Sequence, residues 1–112
     1  VTARAAGTPQ QTEDQFQRAV IEYAQLLGYR VAHFRPGVTF KGWRTAVSAD
    51  GAGFPDLVIA GHGRVIFAEL KSASGKVSVE QQEWIEELRR CGQRAVVWRA
   101  SDWALIAQEL AR

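Results

Sequence analysis

Asp56 closes the stretch Gly53-Phe54-Pro55-Asp56, and Glu69-Leu70-Lys71 follows thirteen positions after that aspartate. Two carboxylates and an ammonium drawn into one place suit the hydrolysis of a phosphodiester. Carboxylates held close repel each other unless a cation joins them, and oxygen-only donors suit a hard divalent ion such as Mg2+ or Mn2+. Such an ion polarises a phosphate oxygen and lowers the pKa of a bound water. A neighbouring lysine can orient that water or stabilise the developing charge. The plainer reading is a Glu69–Lys71 ion pair at a sheet edge, with Asp56 an ordinary turn residue, and spacing alone leaves both open.

Convergence of these residues requires a particular pair of elements. Leu57-Val58-Ile59-Ala60 and Val65-Ile66-Phe67-Ala68 read as two short buried strands, with Gly61-His62-Gly63 as a tight hairpin turn between them. Antiparallel pairing sets the start of the first strand beside the end of the second, so Asp56 and Glu69 meet at one edge of the sheet. Alternation along the strand then turns Glu69 and Lys71 to one face and Leu70 to the other.

The rest of the chain supplies the frame. Thr12 with Gln15 forms a capping box ahead of a helix whose Phe16, Ala19, Val20, Tyr23 and Leu27 share a face and which stops at Gly28. Glu13 and Asp14 fall in its first turn, where the macrodipole favours acids; that explains Asp14 and leaves a functional role for Glu13 open. Tyr29 to Phe34 is a strand. Residues 35 to 55, rich in glycine, read as a long loop carrying Phe40, Lys41, Trp43 and Arg44. Rings and cations interleaved there suit a nucleic-acid backbone, or else Phe40 and Trp43 pin the loop to the body. His33 and Arg35, at the end of the first strand, and Lys76, after the third, are further candidates for DNA contact. Ser78 and Gln81 form a second capping box for a helix with Trp84, Ile85 and Leu88, ending near Cys91-Gly92. Arg94 to Arg99 is a fourth strand, and Ser101 is expected to cap a last helix that covers the sheet with Trp103, Leu105, Ile106 and Leu110. The expected fold is α/β in the order α-β-β-β-α-β-α, a mixed central sheet flanked by helices, its last strand reached by a helical crossover and parallel to its partner.

One domain accounts for residues 12–112 of the 112, with residues 1–11 read as a flexible leader. With 46% hydrophobic and 23% charged residues the composition is that of a globular protein. No apolar run suggests a membrane span and no secretory signal is evident, so the expected location is intracellular. Lone Cys91 excludes an internal disulfide and is expected to pack at a helix end. A net charge of +2 is too small to argue nucleic-acid binding by itself. No glycine-rich loop runs from a strand into a helix to cradle a nucleotide, and His33 and His62 have no nucleophile elbow to serve.

Pro55-Asp56 followed by Glu69-Leu70-Lys71 resembles the PD-(D/E)XK nuclease signature. Glu13, Gln17 and Ala19-Val20, then Gly53-Phe54-Pro55-Asp56-Leu57, Phe67-Ala68-Glu69-Leu70-Lys71, Gly75, and Ser78-Val79-Glu80-Gln81 with Trp84 narrow the likeness to the VRR-NUC domain, from Thr12 to Arg99. The resemblance implies a restriction-endonuclease-like core in which Asp56, Glu69 and the backbone carbonyl of Leu70 ligate Mg2+ or Mn2+. It implies that Lys71 serves the attacking water, that Glu13 completes the metal environment and that Gln81 reaches toward the lysine, water or phosphate. The cap at Ser78 competes for Gln81, and one side chain is not expected to do both.

Stand-alone phage and bacterial members of the family imply a DNA endonuclease resolving Holliday junctions as a homodimer, with Trp98, Trp103 or Phe40 offered as interface residues. A nickase, flap endonuclease or restriction-like enzyme is the alternative within that class. A noncatalytic DNA-binding module or a metal-free protein-interaction domain is the alternative outside it.

Overall fold

A computed structural model describes residues 12–34, 37–39, 42–44 and 48–112, the two short inner segments by backbone alone. The elements are α1 (Glu13–Leu26), β1 (Arg30–His33), β2 (Gly37–Thr39), β3 (Gly42–Arg44), β4 (Leu57–Gly61), β5 (Arg64–Lys71), α2 (Val79–Arg90), β6 (Arg94–Arg99), a 3-10 turn (Ala100–Asp102) and α3 (Trp103–Leu110). Strands β1-β4-β5-β6 form one sheet in that order. The pairings β1/β4 and β4/β5 are antiparallel and β5/β6 is parallel, so the crossover through α2 is as expected.

Burial explains why each element holds. The expected capping box of α1 is present in both directions, between Thr12 and Gln15 at 3.0 Å each way. The helix seats Phe16, Val20 and Ala24, all fully buried, on the sheet face formed by Leu57, Ile59, Ile66, Ala68 and Leu70. Trp98 and, from α3, Ile106 and Leu110 complete that core. On the other face Ala95 is buried, as is Ile85 of α2, the helix that connects β5 to β6. Between β4 and β5, His62 (φ 53°) and Gly63 (φ 80°) form a two-residue turn with both residues left-handed, the geometry whose twist matches paired strands.

Several expectations need correction. The stretch from 35 to 55 is not one long loop, because β2 and β3 pair as a separate two-stranded sheet in the register Gly37↔Arg44, Val38↔Trp43, Thr39↔Gly42. Its strands are three residues long, and Phe40-Lys41 between them lacks the asparagine or glycine that advertises a hairpin. Ser101 does not cap the last helix: it lies in the 3-10 turn, where Asp102 accepts the Arg99 amide at 3.0 Å, and α3 begins at Trp103. Leu105 points outward, 67% exposed, and Trp103 is partly exposed against Tyr23, while Trp98 belongs to the core and is unavailable as an interface. Cys91 is exposed at the end of α2.

Candidate nuclease site

The β4/β5 register pairs Leu57 with Ala68, which sets Asp56 opposite Glu69 one step further along. Asp56 is fixed from both sides of its backbone and side chain. Its carbonyl accepts the Phe34 amide at 2.8 Å, and its Oδ2 accepts the Leu70 amide at 2.9 Å. That second bond carries the aspartate across the end of the hairpin, onto the strand that bears Glu69 and Lys71.

Glu69 is 1% exposed. Its Oε2 is approached by the Lys71 ammonium at 3.7 Å and accepts Gln81 Nε2 at 3.0 Å, while its Oε1 is buried with no partner among the described residues. Burial first, then the nearby Asp56 carboxylate, push the Glu69 carboxyl up to about 8; Lys71 opposes this, and Glu13 adds a small further push. A carboxyl so destabilised as an anion is typical of a functional centre and untypical of a surface ion pair.

Gln81 does both of the things expected to exclude each other. Its Oε1 accepts the Ser78 amide at 2.9 Å to close the capping box, and its Nε2 faces Glu69. An amide has an acceptor and a donor on opposite arms, so the cap itself aims the donor at the carboxylate. The first turn of α2 is brought there by Gly53. A Cβ on Gly53 would lie 2.6 Å from the Glu80 carbonyl carbon and 2.8 Å from the Gln81 nitrogen, and its φ of +85° is itself a glycine conformation. Trp84 anchors the same contact, donating Nε1 to the Asp50 carbonyl at 2.9 Å and meeting Phe54 edge to face at 5.0 Å. The Gly53-Phe54-Pro55-Asp56 stretch thus serves two partners, the helix with its glycine and the strand with its aspartate.

The remaining candidates are less closely gathered. Glu13 is exposed at the start of α1 and is felt at Glu69 only through its charge. His33, paired with Leu57 in the sheet, lines a cleft of about 370 Å³ with Asp14, Gln17 and Arg18. Lys76 is exposed on the loop between β5 and α2. Arg35, Phe40 and Lys41, the side chains of Trp43 and Arg44, and the leader 1–11 lie outside the described residues.

Among the described residues, no three His, Cys, Asp or Glu side chains cluster tightly enough to enclose a metal ion by themselves. The donor set nevertheless fits Mg2+ or Mn2+. Magnesium is characteristically held by one or two carboxylates and keeps its other positions for water and phosphate, and Glu69 presents a buried oxygen without a partner among the described residues.

A family profile, the VRR-NUC domain, matches residues 22–102. The chain belongs to the VRR-NUC family. It is accordingly a nuclease domain of the PD-(D/E)XK type. A solved VRR-NUC domain superposes with a TM-score of 0.63 at 22% identity, over 86% of this chain and 90% of its own. A solved VRR-NUC domain protein gives 0.62 at 27% identity, over 90% and 88%. No curated protein sequence matches significantly. The profile match begins after Glu13, so it does not extend to the first-helix acid. None of the described helices is long and apolar enough to cross a membrane.

Proposed function

We propose that this VRR-NUC domain is a metal-dependent, structure-selective DNA endonuclease that resolves four-way junctions as a homodimer. The observation that carries the catalytic part is buried Glu69 opposite the half-buried Asp56, with an ammonium and an amide both on Glu69 Oε2 and its other oxygen without a described partner. So costly an arrangement is expected where a cation completes it. Asp56, Glu69 and the Leu70 carbonyl would hold Mg2+ or Mn2+, with Glu13 contributing charge from α1. The ion, when bound, supplies Lewis acidity at the scissile phosphate and a more acidic water.

The chain's own residues do the rest. The Leu70 amide keeps Asp56 turned toward the end of β5. Gln81 fixes the rotamer of Glu69. The Lys71 ammonium, beside Glu69, donates to the attacking water or to a phosphate oxygen and stabilises the charge that develops there. His33, Arg35, Lys41, Trp43, Arg44 and Lys76 are the proposed DNA contacts. The dimer follows from need, since a junction is resolved by two symmetric cuts and each chain offers one such centre.

Incubation with a four-way junction, a flap and a linear duplex, each with Mg2+, Mn2+ or chelator, tests this reading. Paired cuts in the junction that require metal are expected. Cleavage unchanged by chelator would remove the metal, and preference for the flap or duplex would favour the other endonuclease classes. A monomeric mass by light scattering while resolution persists would remove the paired-site requirement.

A further inference from the structure

Arg99 ends β6 and is the in-register partner of Lys71. Laterally paired residues share a face of the sheet, so Arg99 lies on the side that carries Glu69 and Lys71. Its Nη1 is within hydrogen-bond distance of three carbonyls in the loop that leaves Lys71: Ser72 at 3.0 Å, Ala73 at 3.5 Å and Gly75 at 2.6 Å. The Arg99 amide is itself held by Asp102, so the base of the side chain is fixed.

That loop lies against the lysine. A Cβ built on Gly75 would come within 3.5 Å of Lys71 Cδ and 3.0 Å of Ser72 Oγ. Gly75 therefore sits beside the lysine stem, and its carbonyl is held by Arg99. A lysine has four rotatable bonds and loses much freedom when its ammonium is held in one place. The same loop runs on to Ser78 and Gln81, the second group on Glu69 Oε2.

We propose that Arg99 is a positioning residue of the nuclease centre, acting through the Ser72–Gly75 loop to keep the Lys71 ammonium beside Glu69. This rests on the endonuclease reading above for its effect on rate, and on the loop contacts alone for its effect on the lysine.

Two measurements on Arg99→Ala and Arg99→Lys separate these, with folding checked by circular dichroism. On the DNA that the wild type cuts, Arg99→Ala is expected to lower kcat about tenfold to a hundredfold with KM little changed. In metal-free protein, acylation of Lys71 by an amine reagent, read by mass spectrometry relative to the exposed Lys76, is expected to rise several-fold. Arg99→Lys keeps the charge but not the rigid fork and should fall between wild type and Arg99→Ala in both measurements. Lys71 labelling that stays at the wild-type level overturns the proposal. So does a raised KM with kcat intact, which would make Arg99 a DNA contact instead. If the wild type cuts no DNA with any metal, the endonuclease reading fails, and the labelling result alone decides whether Arg99 positions the lysine.

Discussion

Strand β5 has a buried glutamate near each of its ends, and the fold treats the two in opposite ways. Beside its first residue, Arg64, lies Glu109 of α3, 9% exposed, gripped by Arg94 through both oxygens at 2.8 and 2.7 Å and approached by Arg64 at 3.6 Å. The Arg94 hydrogen bonds hold the Glu109 carboxyl below the usual range despite its burial. At the other end, Glu69 has one lysine at 3.7 Å, one amide and a neighbouring aspartate, and its carboxyl is pushed up to about 8. Glu109 has its compensation built in and ties α3 to the sheet, alongside the Tyr29 hydroxyl on the Leu110 carbonyl. Among the described residues Glu69 has no such arginine clamp, which supports the cation proposed for it above.

The largest test of this contrast is loss of cleavage. Asp56→Ala, Glu69→Ala and Lys71→Ala are each expected to reduce single-turnover cutting about a thousandfold, with the fold retained by circular dichroism; a fully active Lys71→Ala would remove the lysine from the mechanism. Gln81→Ala should lower cutting about tenfold to a hundredfold, the usual cost of losing a group that orients a metal ligand. Ser78→Ala, which removes only the hydroxyl side of the cap, should cost about 1 kcal/mol in urea unfolding and affect cutting less. Gly53→Ala is expected to cost about 1–3 kcal/mol, because a left-handed alanine must also push the first turn of α2 away. Its cleavage should fall with that displacement of Gln81.

The smallest effects have opposite signs, which makes them the sharpest check. In chelator, the folded protein binds more protons at Glu69 than the unfolded chain between the ordinary value of 4.5 and about 8, so this group's contribution to stability falls as pH rises through that window. For Glu109 the folded pKa is lowered, so its contribution is complete above the ordinary value of 4.5 and is lost as pH falls through the folded pKa. Glu69→Gln should therefore raise the melting temperature above about pH 8, and Glu109→Gln should lower stability by about 1–2 kcal/mol at neutral pH, the exposure of its arginines limiting the loss. Equal shifts in the same direction would erase the distinction between the two glutamates.

Much of the frame was legible because it depends on local signals. Both capping boxes, the stop at Gly28, a tight hairpin turn around His62-Gly63 and the alternation around Glu69 are set by residues a few positions apart. The meeting of Asp56 and Glu69 followed from pairing geometry alone. What could not be read depends on which distant atoms touch. Nothing local shows that Asp56 accepts the Leu70 amide, that Arg94 and Glu109 clamp each other, or that three carbonyls gather on Arg99. Gln81 serves both the cap and Glu69 because the two arms of its amide face different partners, which spacing along the chain does not show. The β2/β3 hairpin escaped because its strands are short and its connecting pair carries no turn signature. The 3-10 turn escaped because Asp102 competes with Ser101 for the backbone at the end of β6.

The two-residue turn at His62-Gly63 also sets the order in which the molecule can assemble. A hairpin closed by so short a loop forms in about 1–10 μs, well before strands joined through a helix can pair. Asp56 and Glu69 would then first meet in water, where their repulsion is weak, and the penalty would arrive only as α2 docks and excludes solvent. Refolding in chelator should accordingly speed up as pH drops below about 8, and stopped-flow fluorescence should show that dependence vanish in Glu69→Gln. A Glu69→Gln chain with the same pH profile as the wild type would place the late barrier elsewhere.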